Sequence, residues 1–452
     1  MSMVDNKVLS PALAKSVDID LQPTQKRIMG GLDYTASFMG GCVSIGTFSM
    51  GAGLIGTVTV LPAILAMAIG CLVIAIGLTV IGQAGDKYGI PYVVQIRSSF
   101  GTQGAKVAGI LRGLPAIVWF GFQSWVGAGA INSCTNLLFG FDNIVIVFAL
   151  FTILQVALAI KGFEGIKWME NISCIFILAI LIYMLYIVLT QFATEIGDVF
   201  SGIEGTWGGP FWAATTSFLG IYATMICNAS DYSRNVKENV KAGAQTSIYT
   251  IAILPVTLFM GLIGLLVTAA TGNSDPVVVF STTMDSKFLT IVTLLFIAFA
   301  QVTTNVLNNI VPPSYVLMEQ FKVKWSYATI IVGALSVCCM PWKLVTEESA
   351  AGLNIFTQLY SAFLGPIFAV MAVDYYILRK QTLNVDDLYD KENGPFVGVN
   401  WAAIVAICVG AVCSLILLSY SWYVSLVPTG LVYYFMMKTS KKSFTKGTIF
   451  EK

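Results

Sequence analysis

Hydrophobic residues along the chain gather in long stretches that short polar segments separate, from residue 31 to residue 437. An α-helix needs roughly 20 mostly apolar residues to cross the hydrocarbon core of a bilayer, which is about 30 Å thick. The stretches 58–82, 144–160 and 288–307 come close to this length. The pattern predicts an all-α polytopic membrane protein with twelve spans, numbered in chain order: 31–56, 59–83, 105–137, 142–160, 171–193, 208–230, 245–270, 286–312, 327–341, 351–374, 398–419 and 421–437.

Positive charges lie almost entirely in alternate gaps between these spans. If the N-terminus is cytoplasmic, 22 of the 25 lysine and arginine residues fall on the cytoplasmic side, two (Lys287 and Lys343) fall outside, and Arg112 lies within the third span. Lysine and arginine concentrate in cytoplasmic loops, and moving one boundary by a whole helix would destroy this bias. The sequence therefore predicts a multi-pass protein of the cell (inner or plasma) membrane with both termini in the cytoplasm.

Composition supports a single membrane domain. Hydrophobic residues make up 56% of the chain and charged residues 11%, and the formal net charge is +1. These values exclude a soluble domain of this length and argue against a nucleic-acid partner, so the lipid bilayer is the expected surroundings. The predicted domain covers residues 29–437, between a cytoplasmic N-terminal tail (1–28), expected to be disordered or to lie on the membrane surface, and a cytoplasmic C-terminal tail (438–452).

Two spans contain residues that favour a break in the helix. The first span carries Gly40, Gly41 and Gly46 near its centre, and the sixth runs from Gly208 through Gly220 to a polar end at 228–231. Backbone that leaves the helix inside a bilayer must line a cavity or be buried in protein. Breaks five spans apart are expected if spans one to five and six to ten are inverted repeats. The repeats would cover about 31–193 and about 208–374, and two extra helices would follow at about 398–437. Glycines also permit close helix packing, and the sequence leaves that alternative open.

The eighth span holds six polar side chains within residues 300–309. Positions 300, 303 and 304 share one helical face, where two threonine hydroxyls and a nearby carbonyl suit a hard alkali cation. Asn305 and Asn309 are four residues apart on an adjoining face, and their amides match the edge of a heterocyclic amide or ureide. Hydrogen bonds between helices are the alternative role for these groups.

The third span places Trp119 and Gln123 one helical turn apart. A planar ligand could stack on the indole and form a hydrogen bond with the glutamine amide, although Trp119 could equally be packed in a helix interface. Arg112 is expected to snorkel or to pair with a carboxylate such as Asp231.

Absent residue types narrow the function further. The chain has no histidine, and no Asp or Glu lies in the middle of a span. Proton-coupled carriers usually need a titratable group at membrane depth, whereas a sodium site needs only oxygens, so sodium is the favoured coupling ion. The chain also lacks a Walker loop, a nucleophile with its base and a metal cluster, which argues against a pump or an enzyme and against any cofactor.

Six short motifs stand out along the chain from the loop after the second span to the end of the tenth. They are Arg97-Ser98-Ser99-Phe100-Gly101, Arg112-Gly113-Leu114, Trp119-Phe120-Gly121-Phe122-Gln123-Ser124-Trp125, Asn228-Ala229-Ser230-Asp231-Tyr232-Ser233-Arg234, Thr304-Asn305-Val306 with Asn309, and Asp374-Tyr375-Tyr376. As a set they resemble the nucleobase-cation-symport-1 family. The hydantoin and allantoin permease branch is the nearest in pattern, because that branch pairs a tryptophan with a glutamine in the third span.

The resemblance implies a fold like that of the leucine transporter, with ten helices in two inverted five-helix repeats plus two C-terminal helices, working by alternating access. It also implies a sodium site. The ligands would be the carbonyls of Gly40, Val43 and Ala300 and the hydroxyls of Thr303 and Thr304.

By the same resemblance, the solute would stack on Trp119 and bond to Gln123 and Asn309, with Asn305 nearby. It would meet a break in the sixth helix around three residues: Gly220, Ile221 and Tyr222. This chain departs from the hydantoin carriers, because Tyr222 replaces a tryptophan, Ile221 takes a usual glycine position, and Ser44 replaces a glutamine of the first span. These changes reshape the pocket and leave open a solute other than hydantoin or allantoin.

The predicted function is cation-coupled import of a small planar nitrogenous solute such as allantoin, a hydantoin, uracil or another nucleobase. The tenth span, with Gly365 and Pro366 allowing it to bend, would close over the solute. A proton-coupled nucleobase or thiamine-precursor permease, a facilitative channel and a non-transporting sensor remain alternatives. The sequence leaves the oligomeric state open and is compatible with a monomer.

Overall fold

A computed structural model gives the positions of most of the chain. It describes residues 9–10, 13–14, 17–25, 27–161, 179, 181–201, 206–237, 240–275, 277–279, 286–344 and 349–451. Most of the first half of the predicted fifth span, 171–178 and 180, lies outside the described residues, as do five of the counted lysines: Lys7, Lys15, Lys26, Lys167 and Lys452.

Helices occupy the predicted spans throughout the described part of the chain, because long apolar stretches satisfy their backbone groups within one helix. Most ends lie within a few residues of the predicted bounds. From the second span to the twelfth the helices are Val60–Tyr88, Arg97–Phe139 (interrupted at Gly101), Ile144–Ile160, Leu181–Gln191, Gly209–Cys227, Ala242–Thr271, Lys287–Asn305 continuing to Phe321, Trp325–Cys338, Ser349–Ala372, Trp401–Ile416 and Ser421–Met437.

Not every one of these helices can be assigned to the membrane by its length. Five described helices are long and apolar enough to cross, and a sixth crossing results if Trp401–Ile416 and Leu418–Met437, bent by 120°, form one span. The remaining described helices fall short of the required length or of the required mean hydropathy. The number twelve therefore stays a prediction.

The first span is broken, as its glycines predict. The helix Gly31–Cys42 ends at Val43 and Ser44, both of which are extended, and a second helix covers Ile45–Ala52. The Ser44 hydroxyl accepts a hydrogen bond from the amide of Gly46 at 3.1 Å, which caps the second helix. The break thus leaves backbone carbonyls of the first half without the usual helical donors.

The predicted break of the sixth span around Gly220, Ile221 and Tyr222 is wrong. A single helix runs through these residues from Gly209 to Cys227, and the backbone leaves helical geometry only at Asn228, before Ala229–Ser233. A lone glycine costs some helix stability but keeps its backbone hydrogen bonds. Gly220 instead serves close packing, because a Cβ atom there would lie 3.0 Å from Cβ of Thr357 in the tenth span.

The second half of the broken first span packs closely on the seventh span. A Cβ atom on Gly51 would lie 2.0 Å from the carbonyl oxygen of Gly261, and one on Gly264 would lie 2.1 Å from that of Phe48. Only glycine permits backbones to approach this closely. These contacts fix where the interrupted first span lies.

Both described ends of the chain lie at the same end of the helix bundle, here called the terminal face. The amide of Ser10 donates to Asp386 at 3.0 Å, and Lys446 forms a 3.0 Å ion pair with the neighbouring Asp387. The N-terminal tail, expected to be disordered or to lie on the membrane surface, packs in its described part against the ends of the helices. Leu21 is buried, and the amide of Thr24 donates to the carbonyl of Gly89 at 2.8 Å, because the ends of the helices offer it apolar and hydrogen-bonding partners.

Candidate functional site

Five oxygen-bearing residues predicted as cation ligands meet between the first and eighth spans. The Thr304 hydroxyl lies 2.7 Å from the carbonyl oxygen of Val43. The Thr303 hydroxyl lies 3.0 Å from the carbonyl oxygen of Ala300 and 3.4 Å from that of Gly40. All five residues are buried. The tertiary structure therefore brings three carbonyls and two hydroxyls, from positions some 260 residues apart, into one cluster.

This cluster consists of neutral oxygens. Such ligands suit a hard monovalent cation, because they satisfy its charge without a titratable group. Among the described residues, no group of three or more His, Cys, Asp or Glu side chains could hold a metal ion. The break frees the carbonyl of Val43, which within an intact helix would already accept a backbone hydrogen bond. The carbonyl of Gly40 accepts a hydrogen bond from the amide of Val43 at 3.3 Å, and Ala300 lies within an intact helix.

Asn308 and Asn309 lie on a turn of π-helix, Val306–Ile310, which directly follows Asn305, the last residue of the α-helix. The Asn309 amide donates to the side-chain oxygen of Asn305 at 2.8 Å. The Asn305 amide in turn donates to Gln155 at 2.9 Å and to Ser124 at 3.2 Å. Asn305 is therefore bonded to the third and fourth spans, and it positions Asn309. Single π-turns of this kind occur frequently at functional sites.

Trp119 and Gln123 lie together opposite the break of the first span. The Gln123 amide donates to the Ser44 hydroxyl at 3.0 Å, while its side-chain oxygen is buried without a hydrogen-bond partner. Gly46 lies against the indole of Trp119, where a Cβ atom would come within 2.7 Å of the ring. An unpartnered buried acceptor beside an indole is a group to which an N–H of a planar solute could donate.

Tyr360 of the tenth span is a site residue that the sequence did not indicate. Its hydroxyl donates to the carbonyl of Gly220 at 2.8 Å and accepts from Nε1 of Trp119 at 3.2 Å. It thereby joins the third, sixth and tenth spans in one hydrogen-bonded chain. The polar positions 357, 360 and 361, at helical spacing in an apolar span, were the available signal.

The two residues that follow Gly220 differ in their surroundings. The Tyr222 hydroxyl donates to the carbonyl of Cys42 at 3.0 Å and lies 3.1 Å from the Thr257 hydroxyl. Tyr222 therefore satisfies a carbonyl freed by the break of the first span. Ile221 is buried in the same continuous helix.

Arg112 is fully buried and reaches Asp231 only indirectly. Its Nε donates to the side-chain oxygen of Asn228 at 2.9 Å, and the amide nitrogen of Asn228 donates to Asp231 at 3.0 Å. The expected direct pairing is thus replaced by a bridge through Asn228. Asn228 lies at the break in the sixth span, and this position places its side chain between Arg112 and Asp231.

The family described as permease for cytosine/purines, uracil, thiamine, allantoin matches residues 22–438. The hydantoin permease of Microbacterium maritypicum is 26% identical over 93% of this chain and 88% of its own length. The allantoin permease of Bacillus subtilis (strain 168) is 29% identical over 93% of this chain and 92% of its own length.

Solved structures show the same fold. The nucleobase-cation-symport-1 family transporter Mhp1, in a closed conformation with bromovinylhydantoin bound, superposes with a TM-score of 0.85 at 24% identity, covering 95% of this chain and 99% of that one. Its inward-facing conformation gives a TM-score of 0.80 at 25% identity, covering 95% of this chain and 97% of that one. MhsT in complex with L-phenylalanine gives a TM-score of 0.58 at 15% identity, covering 91% of this chain and 99% of that one.

The predicted all-helical fold class is confirmed, since these neighbours have the leucine-transporter fold. The family match covers most of the chain, and the relatives are permeases rather than enzymes. The chain therefore belongs to the family of permeases for cytosine and purines, uracil, thiamine and allantoin, the nucleobase-cation-symport-1 transporters.

Proposed function

We propose that this protein is a sodium-coupled symporter of a small planar nitrogenous solute such as allantoin, a hydantoin, uracil or another nucleobase. One observation carries the proposal: the oxygens of Gly40, Val43, Ala300, Thr303 and Thr304 converge where the first span is broken. Sodium would draw the first and eighth spans together there. The solute would then meet a first span whose two halves are already held in place.

The solute would bind beside this ion site. Its ring would stack on Trp119, an N–H would donate to the free side-chain oxygen of Gln123, and a carbonyl or N–H would meet Asn309. Ser44 would hold the Gln123 amide, and Asn305 would hold that of Asn309. The tenth span would close over the solute through Tyr360. The proposed site residues all come from one chain, so a monomer would be sufficient.

Gly220, Ile221 and Tyr222 take a supporting role in this proposal. The carbonyl of Gly220 accepts a hydrogen bond from the Tyr360 hydroxyl, and the Tyr222 hydroxyl donates one to the carbonyl of Cys42 at the first-span break. The hydrogen bonds of both residues would therefore form only when the tenth and first spans are in the closed position. Ile221 would provide an apolar surface next to them.

A proton-coupled permease of the same family is the alternative. The cluster at Thr303 and Thr304 contains no titratable side chain, whereas Asp231 and Asp374 lie toward the terminal face. A proton mechanism would act through a carboxylate outside this cluster. This arrangement favours sodium.

Uptake into proteoliposomes distinguishes the two mechanisms. Purified protein is tested with radiolabelled allantoin, uracil and a hydantoin, once with an inward sodium gradient at equal pH and once with a pH gradient in sodium-free buffer. We expect saturable uptake of one of these solutes with sodium alone. Uptake driven by pH and indifferent to sodium would overturn the coupling.

We further propose that the terminal face is cytoplasmic, in agreement with the charge distribution. The exposed Lys446 provides the test. A cysteine introduced there should react with an impermeant maleimide in inverted membrane vesicles but not in intact cells. The opposite pattern would reverse the orientation.

A further inference from the structure

A groove of about 480 Å³, here called the lateral groove, lies on the outer surface of the bundle between the fourth and ninth spans. Its lining is apolar and comes from residues 149–160 of the fourth span and 330–337 of the ninth. Two of its side chains, Ile153 and Ile330, are 64% and 50% exposed. Such side chains meet lipid in a membrane, because the bilayer core contains no water. The lateral groove therefore opens toward acyl chains.

Small residues create this groove. Ala149, Ala157 and Ala334 are exposed and leave space between the larger side chains around them. Gly333 lets the two helices approach, because a Cβ atom there would lie 2.7 Å from Cγ2 of Val156. Where lipid is the solvent, close van der Waals packing is what holds apolar groups together. An apolar chain that fills the depression would gain such packing on both helices.

The lateral groove has the length of one leaflet. From residue 149 to residue 160, the fourth span rises roughly 16 Å at about 1.5 Å per residue. The hydrocarbon core is about 30 Å thick, so one leaflet contributes about 15 Å. Ile160, the last residue of that helix, borders a cavity that residues 19–25 of the N-terminal segment also line, so this end lies at the terminal face. The groove therefore extends from the terminal face to about the middle of the membrane.

Aromatic residues mark the membrane interface at this end of the groove. The ninth span begins at Trp325, whose Nε1 donates to the carbonyl of Ala159 at 3.1 Å. This bond holds the start of the ninth span against the end of the fourth. Tyr327, two residues further on, is exposed. Because tryptophan and tyrosine concentrate at the level of the headgroups, a lipid in the groove would have its headgroup beside these residues.

Two lysines lie at the same end. Lys161 directly follows Ile160, and Lys324 directly precedes Trp325. Both lysines are exposed. Long lysine side chains extend from the ends of membrane helices to the interface, where they attract anionic lipids. The lateral groove and its two lysines are thus complementary to a molecule with an anionic head and an apolar chain.

We propose that the lateral groove is a binding site for an anionic phospholipid of the leaflet at the terminal face. One acyl chain lies between the fourth and ninth spans, and the phosphate accepts charge-assisted hydrogen bonds from Lys161 and Lys324. The lysines disfavour a second copy of the chain in the groove, because two copies related by a two-fold axis would bring their positive charges together. The site depends on neither the coupling ion nor the solute.

Native mass spectrometry of the full-length protein in detergent tests this proposal. Phosphatidylglycerol and phosphatidylcholine with the same acyl chains are titrated in parallel, and we expect phosphatidylglycerol to bind at lower concentration. Combining Lys161→Gln with Lys324→Gln should weaken binding of phosphatidylglycerol roughly tenfold and leave that of phosphatidylcholine nearly unchanged. Ala334→Leu fills the groove and should weaken binding of both lipids.

Each change has a matched control. Lys241→Gln with Lys441→Gln removes two other exposed lysines, and Cys408→Leu enlarges an exposed side chain of the eleventh span. Both controls should bind the two lipids as the unaltered protein does. Glycerol 3-phosphate, which has the headgroup phosphate without acyl chains, should not displace phosphatidylglycerol. Thermal unfolding of each variant verifies folding.

Three results would overturn the lipid site. The first is equal binding of the two lipids, or a Lys161→Gln, Lys324→Gln variant that behaves like its control. The second is displacement of phosphatidylglycerol by glycerol 3-phosphate, which would indicate a site for a soluble phosphate. The third is a dimer that Ala334→Leu converts to a monomer, because a second copy of the chain would then occupy the lateral groove.

Discussion

The hydroxyl of Thr304 donates a hydrogen bond to the carbonyl oxygen of Val43, 261 residues earlier in the chain, across 2.7 Å. This contact joins the eighth span to the break of the first span. The same two oxygens would ligate a sodium ion in the proposed mechanism. The proposed ion site and the contact between the two spans therefore use the same oxygens. A substitution that removes one of these oxygens should affect both.

Thr304→Val should weaken sodium stimulation of uptake, because it keeps the shape of the side chain and removes the hydroxyl. Losing a partner for a buried carbonyl costs about 1–3 kcal/mol, which corresponds to roughly a ten- to hundredfold higher sodium requirement. Thr304→Ser, which retains the hydroxyl, should preserve most of the coupling. Sodium titration of solute uptake measures the difference, and equal behaviour of the two variants would contradict the assignment.

Tyr360→Phe should impair transport by breaking the link between Trp119 and Gly220. The indole N–H would be left without its acceptor, at a cost of about 1–3 kcal/mol. Tyr423→Phe is the matched control, because the Tyr423 hydroxyl is buried and has no hydrogen-bond partner. We expect the KM for the solute to rise several-fold in Tyr360→Phe alone. If both variants transport normally, Tyr360 is not part of the closing contact.

Gly264→Ala should destabilise the protein, since its Cβ would lie 2.1 Å from the carbonyl oxygen of Phe48. Overpacking of this kind costs about 1–3 kcal/mol or more. Gly243→Ala changes a glycine of the same helix that has no atom within 4 Å of the added Cβ, so it should be neutral or slightly stabilising. Thermal unfolding in detergent measures the stability of both variants. A Gly264→Ala variant as stable as Gly243→Ala would show that the two helices can separate freely.

Asp374→Asn should be far more damaging than Asp387→Asn. Asp374 is buried, pairs with Arg379 at 2.8 Å and accepts from Ser98 and Tyr433, each at 2.9 Å. Breaking a buried ion pair costs about 3–5 kcal/mol. Asp387 pairs with the half-exposed Lys446, and exposed pairs contribute about 0–1 kcal/mol. The unfolding temperature of each variant measures its loss of stability, and similar decreases in the two variants would contradict this ranking.

Local patterns in the sequence were sufficient to predict the spans and part of the site. Long apolar stretches can satisfy their backbone in a membrane only as helices, so the spans could be located from hydrophobicity alone. The glycines near Val43 predicted the first break. Helical spacing predicted that the oxygens of Ala300, Thr303 and Thr304 would share a face, and the structure brings them to Gly40 and Val43.

Tertiary structure decided which of these local possibilities was realised. Gly220 could have ended a helix, but close packing on Thr357 keeps the helix intact and moves the break to Asn228. Tyr360 reaches Trp119 across 241 positions of sequence, and Leu21 reaches Tyr389 across 368. Sequence by itself determined where helices form, because their hydrogen bonds are local. Contacts between distant residues depend on how those helices pack, and only the folded chain fixes that arrangement.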